Sequence, residues 1–214
     1  MSAKSLRKPA SRASTRSAVP QQVRIIGGSW KRTPLLVTDA ESLRPTPDRV
    51  RETVFNWLTH LLDGQWEGVR CLDLFAGTGA MGFEAASRGA AKVIMVESQP
   101  AAVRQMQAVK DKLKAQQVDI VRGDAMAVSR SLLERQEADF DLIVLDPPYH
   151  QDWLKKCLPL CADLLKPGGM IYAESEFPLD EETAPDWLAQ WDIVRADRAG
   201  MVFYHILQRK QIQA

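Results

Sequence analysis

The sequence is poor in the residues that build metal centres, disulfide scaffolds and membrane spans. Among its 214 residues are three cysteines and three histidines. Cys71, Cys157 and Cys161 are too few for a bridged framework. Cys157 and Cys161 stand i, i+4 on an expected helix, but no Cys or His pair elsewhere has complementary metal-ligand spacing, so all three read as buried thiols and no metal is expected. His60, His150 and His205 are scattered and receive no catalytic role. No stretch approaches the ~18 apolar residues that a membrane span needs. Strong charge of either sign is also missing: the net charge is +1, from 28 basic and 27 acidic residues. A generally basic nucleic-acid-binding body is thereby excluded.

That balance hides an asymmetry. Residues 1–22 contain Lys4, Arg7, Lys8, Arg12 and Arg16 and no acid, so the rest of the chain is about four charges negative. The segment has no apolar core of a signal peptide and is expected to be a disordered, cationic tail on a cytoplasmic protein. An Arg- and Ser-rich, acid-poor tail also fits a mitochondrial presequence, and that reading stays open. Any polyanion must then be met by the tail plus a local patch.

What the sequence does have is a sharply bounded apolar run, Leu142 to Leu145, that ends in Asp146-Pro147-Pro148-Tyr149. A short β-branched and aliphatic run between polar boundaries reads as a parallel strand buried on both faces. Two prolines terminate it, since neither can donate a ladder hydrogen bond. Asp146 and Tyr149 are thus held on stiff backbone at the carboxyl end of a strand, where open α/β sheets bind ligands.

Around this run the pattern alternates. Val69 to Phe75, Lys92 to Val96, Val118 to Arg122 and Met170 to Ala173 read as further strands. Helices are expected over Gly79 to Arg88, Gln99 to about Gln116, after Asp124, and Asp152 to Leu165, with Lys166-Pro167-Gly168-Gly169 as a turn. Such alternation predicts a doubly wound, mostly parallel α/β sheet of seven strands. Ile193 to Ala196 and Val202 to Leu207 add an antiparallel edge. Ahead of it, Val23 to Gly28 and Thr33 to Val37 predict a small hairpin around a Gly-Ser-Trp turn. In Leu43 to Leu58, Thr46 is the expected N-cap of a helix with Pro47 at its first position and Asp48 in its first turn.

Candidate site residues follow from the strand ends. Asp73-Leu74-Phe75-Ala76-Gly77-Thr78-Gly79 feeds a glycine-rich turn into a helix N-terminus, where backbone approaches a ligand closely. With Gly82 the spacing formally fits a dinucleotide fingerprint, but Asp73 places negative charge where a pyrophosphate would sit. Glu97 is placed to accept from ribose hydroxyls, and Asp124, beside Ala125, from an adenine amino group. Three acids at successive strand ends, with no base for phosphate, describe a nucleoside lacking a phosphate chain, and S-adenosylmethionine fits. Arg24, Trp30, Lys31 and Arg32 on the hairpin, and Arg44, Arg49 and Arg51 around the first helix, combine charge with an aromatic face suited to RNA; a hairpin simply packed on the domain with a solvated rim fits these residues as well. Glu174 and Glu176 read as solvated or edge residues.

These motifs resemble the class I S-adenosylmethionine-dependent methyltransferases that act on amino groups, whose fourth motif is (Asn/Asp/Ser)-Pro-Pro-(Tyr/Phe/Trp). Arg24 to Trp30, Leu43 to Thr46 with Asp48 to Thr53, and Phe55 to Leu58 resemble the bacterial ribosomal RNA small subunit methyltransferase D family, over about Val23 to His205. The resemblance implies methylation of a guanine 2-amino group in 16S rRNA of the small ribosomal subunit. It implies catalysis by Asp146, the carbonyl of Pro147 and the stacking ring of Tyr149, and cofactor contacts from Asp73, Phe75, Ala76, Gly77, Gly79, Glu97, Asp124, Ala125 and Asp146. The expected organisation is a tail over 1–22, an RNA-binding hairpin over 23–42 and a methyltransferase domain over 43–214, working as a monomer. A DNA adenine-N6 methyltransferase shares the fourth motif. A catalytically silent RNA-binding assembly factor and a nicotinamide-dependent oxidoreductase are the remaining alternatives.

Overall fold

Along the central strands, successive side chains enter two separate cores. The computed structural model describes residues 22–37, 46–180 and 186–210. In it β3 (Arg70–Asp73) directs Cys71 to one side and Leu72 to the other, and β4 (Lys92–Glu97) separates Val93 and Met95 from Ile94 and Val96. The strand β6 (Phe140–Leu145) divides Leu142 and Val144 from Ile143 and Leu145 in the same way. The first set packs with α1 (Asp48–Leu61), α2 (Ala80–Arg88) and α3 (Pro100–Leu113). The second packs with α4 (Ala125–Glu134) and α5 (Trp153–Leu164). A period-two strand covered on both faces must be apolar throughout, which is why Leu142 to Leu145 form an unbroken run. Each of these four fully buried side chains contributes roughly 1.5–3 kcal/mol of transfer free energy.

With β5 (Val118–Arg122), β7 (Leu165–Ser175), β8 (Trp191–Ala199) and β9 (Val202–Arg209), the strand order is β5-β4-β3-β6-β7-β9-β8. Strands β3 to β7 are parallel, and β9 is antiparallel to both β7 and β8. The expected doubly wound α/β sheet with an antiparallel C-terminal edge is therefore present, the last strand inserting between β7 and β8. Chain direction across the sheet reverses between β3 and β6, the switch point at which such sheets open a crevice. Lys166-Pro167-Gly168-Gly169 lies within β7 rather than before it. The partners of Phe140 and Leu142 are Leu165 and Met170, so these four residues bulge out of the ladder and the proline is tolerated.

The hairpin is shorter than expected: β1 (Gln22–Arg24) pairs antiparallel with β2 (Pro34–Leu36). It is seated on α2. Fully buried Glu84 accepts hydrogen bonds from the amides of Ile26 (2.6 Å) and Gly27 (2.8 Å) and from Arg88 Nε (2.8 Å). At Gly28 (φ 70°) a Cβ would lie 1.9 Å from the carbonyl oxygen of Ser87, so only glycine permits the approach.

Two expectations at α1 are corrected. Pro47, not Thr46, occupies the N-cap, its carbonyl accepting from the Val50 and Arg51 amides, while the Thr46 hydroxyl turns to carboxyls on β7 and after β6. Arg51 is fully buried: it pairs with Asp48 (2.6 Å) and donates to the Thr46 carbonyl, so it tethers the helix start and is unavailable to RNA. Arg49 is exposed. No described helix is long and apolar enough to cross a membrane, and Cys71, Cys157 and Cys161 are free and buried.

Candidate active site

The parallel register brings the acidic strand ends together. Asp73 pairs across the sheet with Met95 and Val144, and Glu97 with Arg122, so Asp73, Glu97, Asp124 and Asp146 lie at the carboxyl ends of four neighbouring strands. Between them runs the glycine turn. Gly77 N donates to Glu97 Oε2 (2.9 Å) and Ala76 N to the Val96 carbonyl (2.9 Å), tying turn to strand. Gly79 (φ 78°) forms the left-handed N-cap from which α2 starts.

These acids do different jobs. Glu97 is half-buried and also accepts from Gln99 N (2.7 Å), so it braces the start of α3 while keeping lone pairs for a ligand. Asp124 caps α4 through Ala127 N (2.9 Å), and exposed as it is, retains a second oxygen. Ala125 is buried beside it. Asp73 is 1% exposed, and neither of its oxygens has a hydrogen-bond partner. Burial raises its pKa to about 7, opposed by the nearby Phe75 and Gly82 amides and reinforced by the charge of Glu97. An orphaned carboxylate at a strand end is a ready acceptor for an amine-bearing ligand.

Asp146 continues β6 directly. Its Oδ2 lies 3.0 Å from the Thr46 hydroxyl, which in turn lies 2.8 Å from Glu174 Oε1. Tyr172 donates to the same Glu174 oxygen (2.5 Å). Burial first, and then the charge of Glu174, pushes the Asp146 carboxyl well up; burial raises Glu174 as well. Glu174 is 3% exposed, which overturns its reading as a solvated edge residue. The rule that singled out the other strand-end acids, a carboxyl closing a buried strand, applies equally to β7 and would have found it.

Beyond Asp146 the chain lines a cleft of about 160 Å³ with Pro147, Tyr149, Trp153, Phe177 and Trp187 among its walls. Tyr149 is 39% exposed and Phe177 49%, so both rings are open to solvent at the cleft. Phe75 meets Trp153 edge-on at 5.2 Å, joining the cleft to the glycine turn. At the rim Glu176 pairs with His150 Nδ1 (2.7 Å). His205 is buried on β9, accepts from Leu179 N (3.2 Å), and burial lowers its pKa to about 4, so it is a neutral structural residue.

The expected RNA-facing residues separate. Arg24, Lys31, Arg32 and Arg49 are exposed on the hairpin and α1, with Arg24 also paired to Asp48 (2.7 Å). Trp30 is half-buried against the core that holds α2, which leaves part of its ring at the surface. Arg44 and the basic tail over 1–21 lie outside the described residues.

A family model described as Conserved hypothetical protein 95 matches residues 23–208. The chain is similar to ribosomal RNA small subunit methyltransferase D of Escherichia coli (strain K12), 39% identical over 88% of this chain and 91% of that protein. It is 34% identical to the Haemophilus influenzae protein of the same name, over 87% of this chain and 94% of that one. A solved structure of Escherichia coli yhhF covers 89% of this chain and 99% of its own, at 35% identity and a TM-score of 0.72.

Proposed function

The chain belongs to the ribosomal RNA small subunit methyltransferase D family, and from that premise we propose that it methylates the exocyclic 2-amino group of a guanine in 16S rRNA within the small ribosomal subunit, in the cytoplasm. The observation that carries this reading is the pairing of two half-sites at one sheet edge: an orphaned carboxylate beside a glycine turn, and Asp146-Pro147-Pro148-Tyr149 opening onto an aromatic cleft.

The first half fits S-adenosylmethionine. Asp73 would accept from its amino group, Glu97 from its ribose hydroxyls and Asp124 from its adenine, while Phe75, Ala76, Gly77, Gly79 and Ala125 would form the wall against it. The cofactor supplies a methyl group on a positively charged sulfur, already activated for transfer. What the chain must supply is orientation. A guanine amine is a poor nucleophile because its lone pair is delocalised into the ring. Asp146 and the Pro147 carbonyl accept its two N–H groups and so aim the lone pair at the methyl carbon. Tyr149 stacks on the base, which has to leave any helical stack to enter. No covalent intermediate on the protein is needed.

RNA recognition falls to the hairpin, residues 23–42 in this division of the chain, with Arg24, Lys31, Arg32, the exposed part of Trp30 and, from α1, Arg49. The body is not generally basic, so free RNA is held weakly and a protein-bearing particle completes the docking surface. The catalytic body is residues 43–214, acting as a monomer.

The test is transfer of labelled methyl from S-adenosylmethionine to small subunits lacking their own modifications, followed by digestion to nucleosides. 2-Methylguanosine is the expected product. Label in 6-methyladenosine would overturn the choice of base, and absence of label alongside measurable cofactor binding would overturn the substrate.

A further inference from the structure

Glu174 belongs to no motif of the sequence, yet it is the most enclosed carboxyl of the cleft. In the β6–β7 register Leu145 pairs with Ala173, so Asp146 and Glu174 are the next residues on adjacent parallel strands. They share the Thr46 hydroxyl, at 3.0 Å and 2.8 Å, and Glu174 also takes the Tyr172 hydroxyl.

Hydrogens can be counted. The four groups make three hydrogen bonds: Thr46 with each carboxyl, and Tyr172 with Glu174. Two hydroxyls carry two hydrogens, enough for two contacts. A third hydrogen has to sit on a carboxyl. Among the described residues no Lys, Arg or His hydrogen-bonds to either acid, so no cation in contact offsets two negative charges held this close, with Glu174 buried and Asp146 half-buried.

We propose that Glu174 is a positioning residue for methyl transfer, sharing one proton with Asp146 so that the pair carries a single negative charge and the remaining Asp146 oxygen is held toward the substrate amine. This rests on the function proposed above. As the N–C bond forms, the C–S bond breaks with its electron pair left on sulfur. The proton displaced from nitrogen then has a destination: the pair passes from one proton to two and from one negative charge to none, and later releases the proton to water. The upward shift of both acids, caused first by burial, agrees with a pair that retains a proton. The other titratable groups facing it are Tyr172 on β7, Asp73 on β3 and, beyond Tyr172, Tyr204 on β9.

The experiment compares wild-type and Glu174→Gln proteins in methyl transfer to unmodified small subunits across pH, together with a 13C titration of the side-chain carboxyls. Glutamine keeps the shape and removes the titrating partner. The expected result is a fall in kcat of about ten- to a hundredfold, with KM for RNA and cofactor within about twofold. A high-titrating carboxyl step, and the inflection it places in the kcat profile, should be present in the wild type and absent from the variant. A step that persists in the variant, or a loss confined to KM, overturns the proposal. Tyr172→Phe removes a donor that favours ionised Glu174 and should move that step to higher pH, which keeps the idea testable if Glu174→Gln fails to fold. Should the wild type transfer no methyl, the functional reading fails, while the carboxyl titration still decides whether the proton is shared.

Discussion

Two regions of this molecule bury carboxylates, and they treat them in opposite ways. At the seam between hairpin and α2, Glu84 is fully enclosed and met by two amides and a guanidinium. At the ends of β3, β6 and β7, Asp73 has the Phe75 and Gly82 amides nearby but no hydrogen bond of good geometry, and Asp146 and Glu174 must divide two hydroxyls. Burial alone therefore does not distinguish structure from chemistry. A satisfied buried acid is a fastening; an unsatisfied one retains capacity to bind, and that capacity is what a ligand site requires.

The sharpest way to break this contrast is Asp146→Ala. Turnover should fall about a thousandfold or more, with cofactor affinity within a few-fold, measured by methyl-transfer kinetics and calorimetry; near-normal turnover would remove Asp146 from the reaction. Next in size is Glu84→Ala, which strands Arg88 and two amides and should lower stability by about 3–5 kcal/mol in denaturant unfolding. Replacement at the unsatisfied site should act in the other direction. Asp73→Asn is expected to stabilise the ligand-free protein by roughly 1–3 kcal/mol at pH 8 while weakening cofactor binding.

The sign follows from proton linkage. Asp73 holds its proton more tightly when folded, with a pKa of about 7 against an ordinary 3.8. Its contribution to stability is greatest below about pH 4 and falls until pH passes about 7. The advantage of Asp73→Asn should accordingly shrink to nothing in melts near pH 4, and an advantage independent of pH would mean that charge is not its origin. The last contrast is between the two arginines of α1. Arg51→Ala should lower Tm, because its guanidinium is buried at the helix start, and Arg49→Ala, the smallest effect, should weaken RNA binding by about two- to fivefold without moving Tm, because its guanidinium faces water.

The parts legible in the sequence are those with local causes. A strand covered on both faces has to be apolar throughout, and a strand end in such a sheet has to face the crevice, so Asp73, Glu97, Asp124 and Asp146 could be singled out from pattern alone. Thr46 and Arg51 misled for the converse reason. A threonine before Pro47-Asp48 has every local mark of a helix cap, but its hydroxyl is claimed by acids 100 and 128 residues away. Arg51 belongs to a cluster of charge in sequence, yet the helical turn points it inward with Val50, Val54 and Phe55. Glu84 sits in a helix that is buried nearly all round, and nothing nearby in sequence announces that its partners are amides of the hairpin.

The span from Thr46 to Glu174 also bears on how the protein is made. A chain emerging from its own synthesis can form the hairpin, the glycine turn and most of the parallel strands before β7 exists. The bond from Thr46 to Glu174 must wait for that strand, and β7 in turn acquires its second neighbour only with β9, further along the chain. Pairings so distant along the chain form late, because loop closure precedes any gain from contact. The corner that holds Asp146 and Glu174 thus closes after the glycine turn, and a nascent chain stopped short of β7 has that turn but not the Asp146–Glu174 pair.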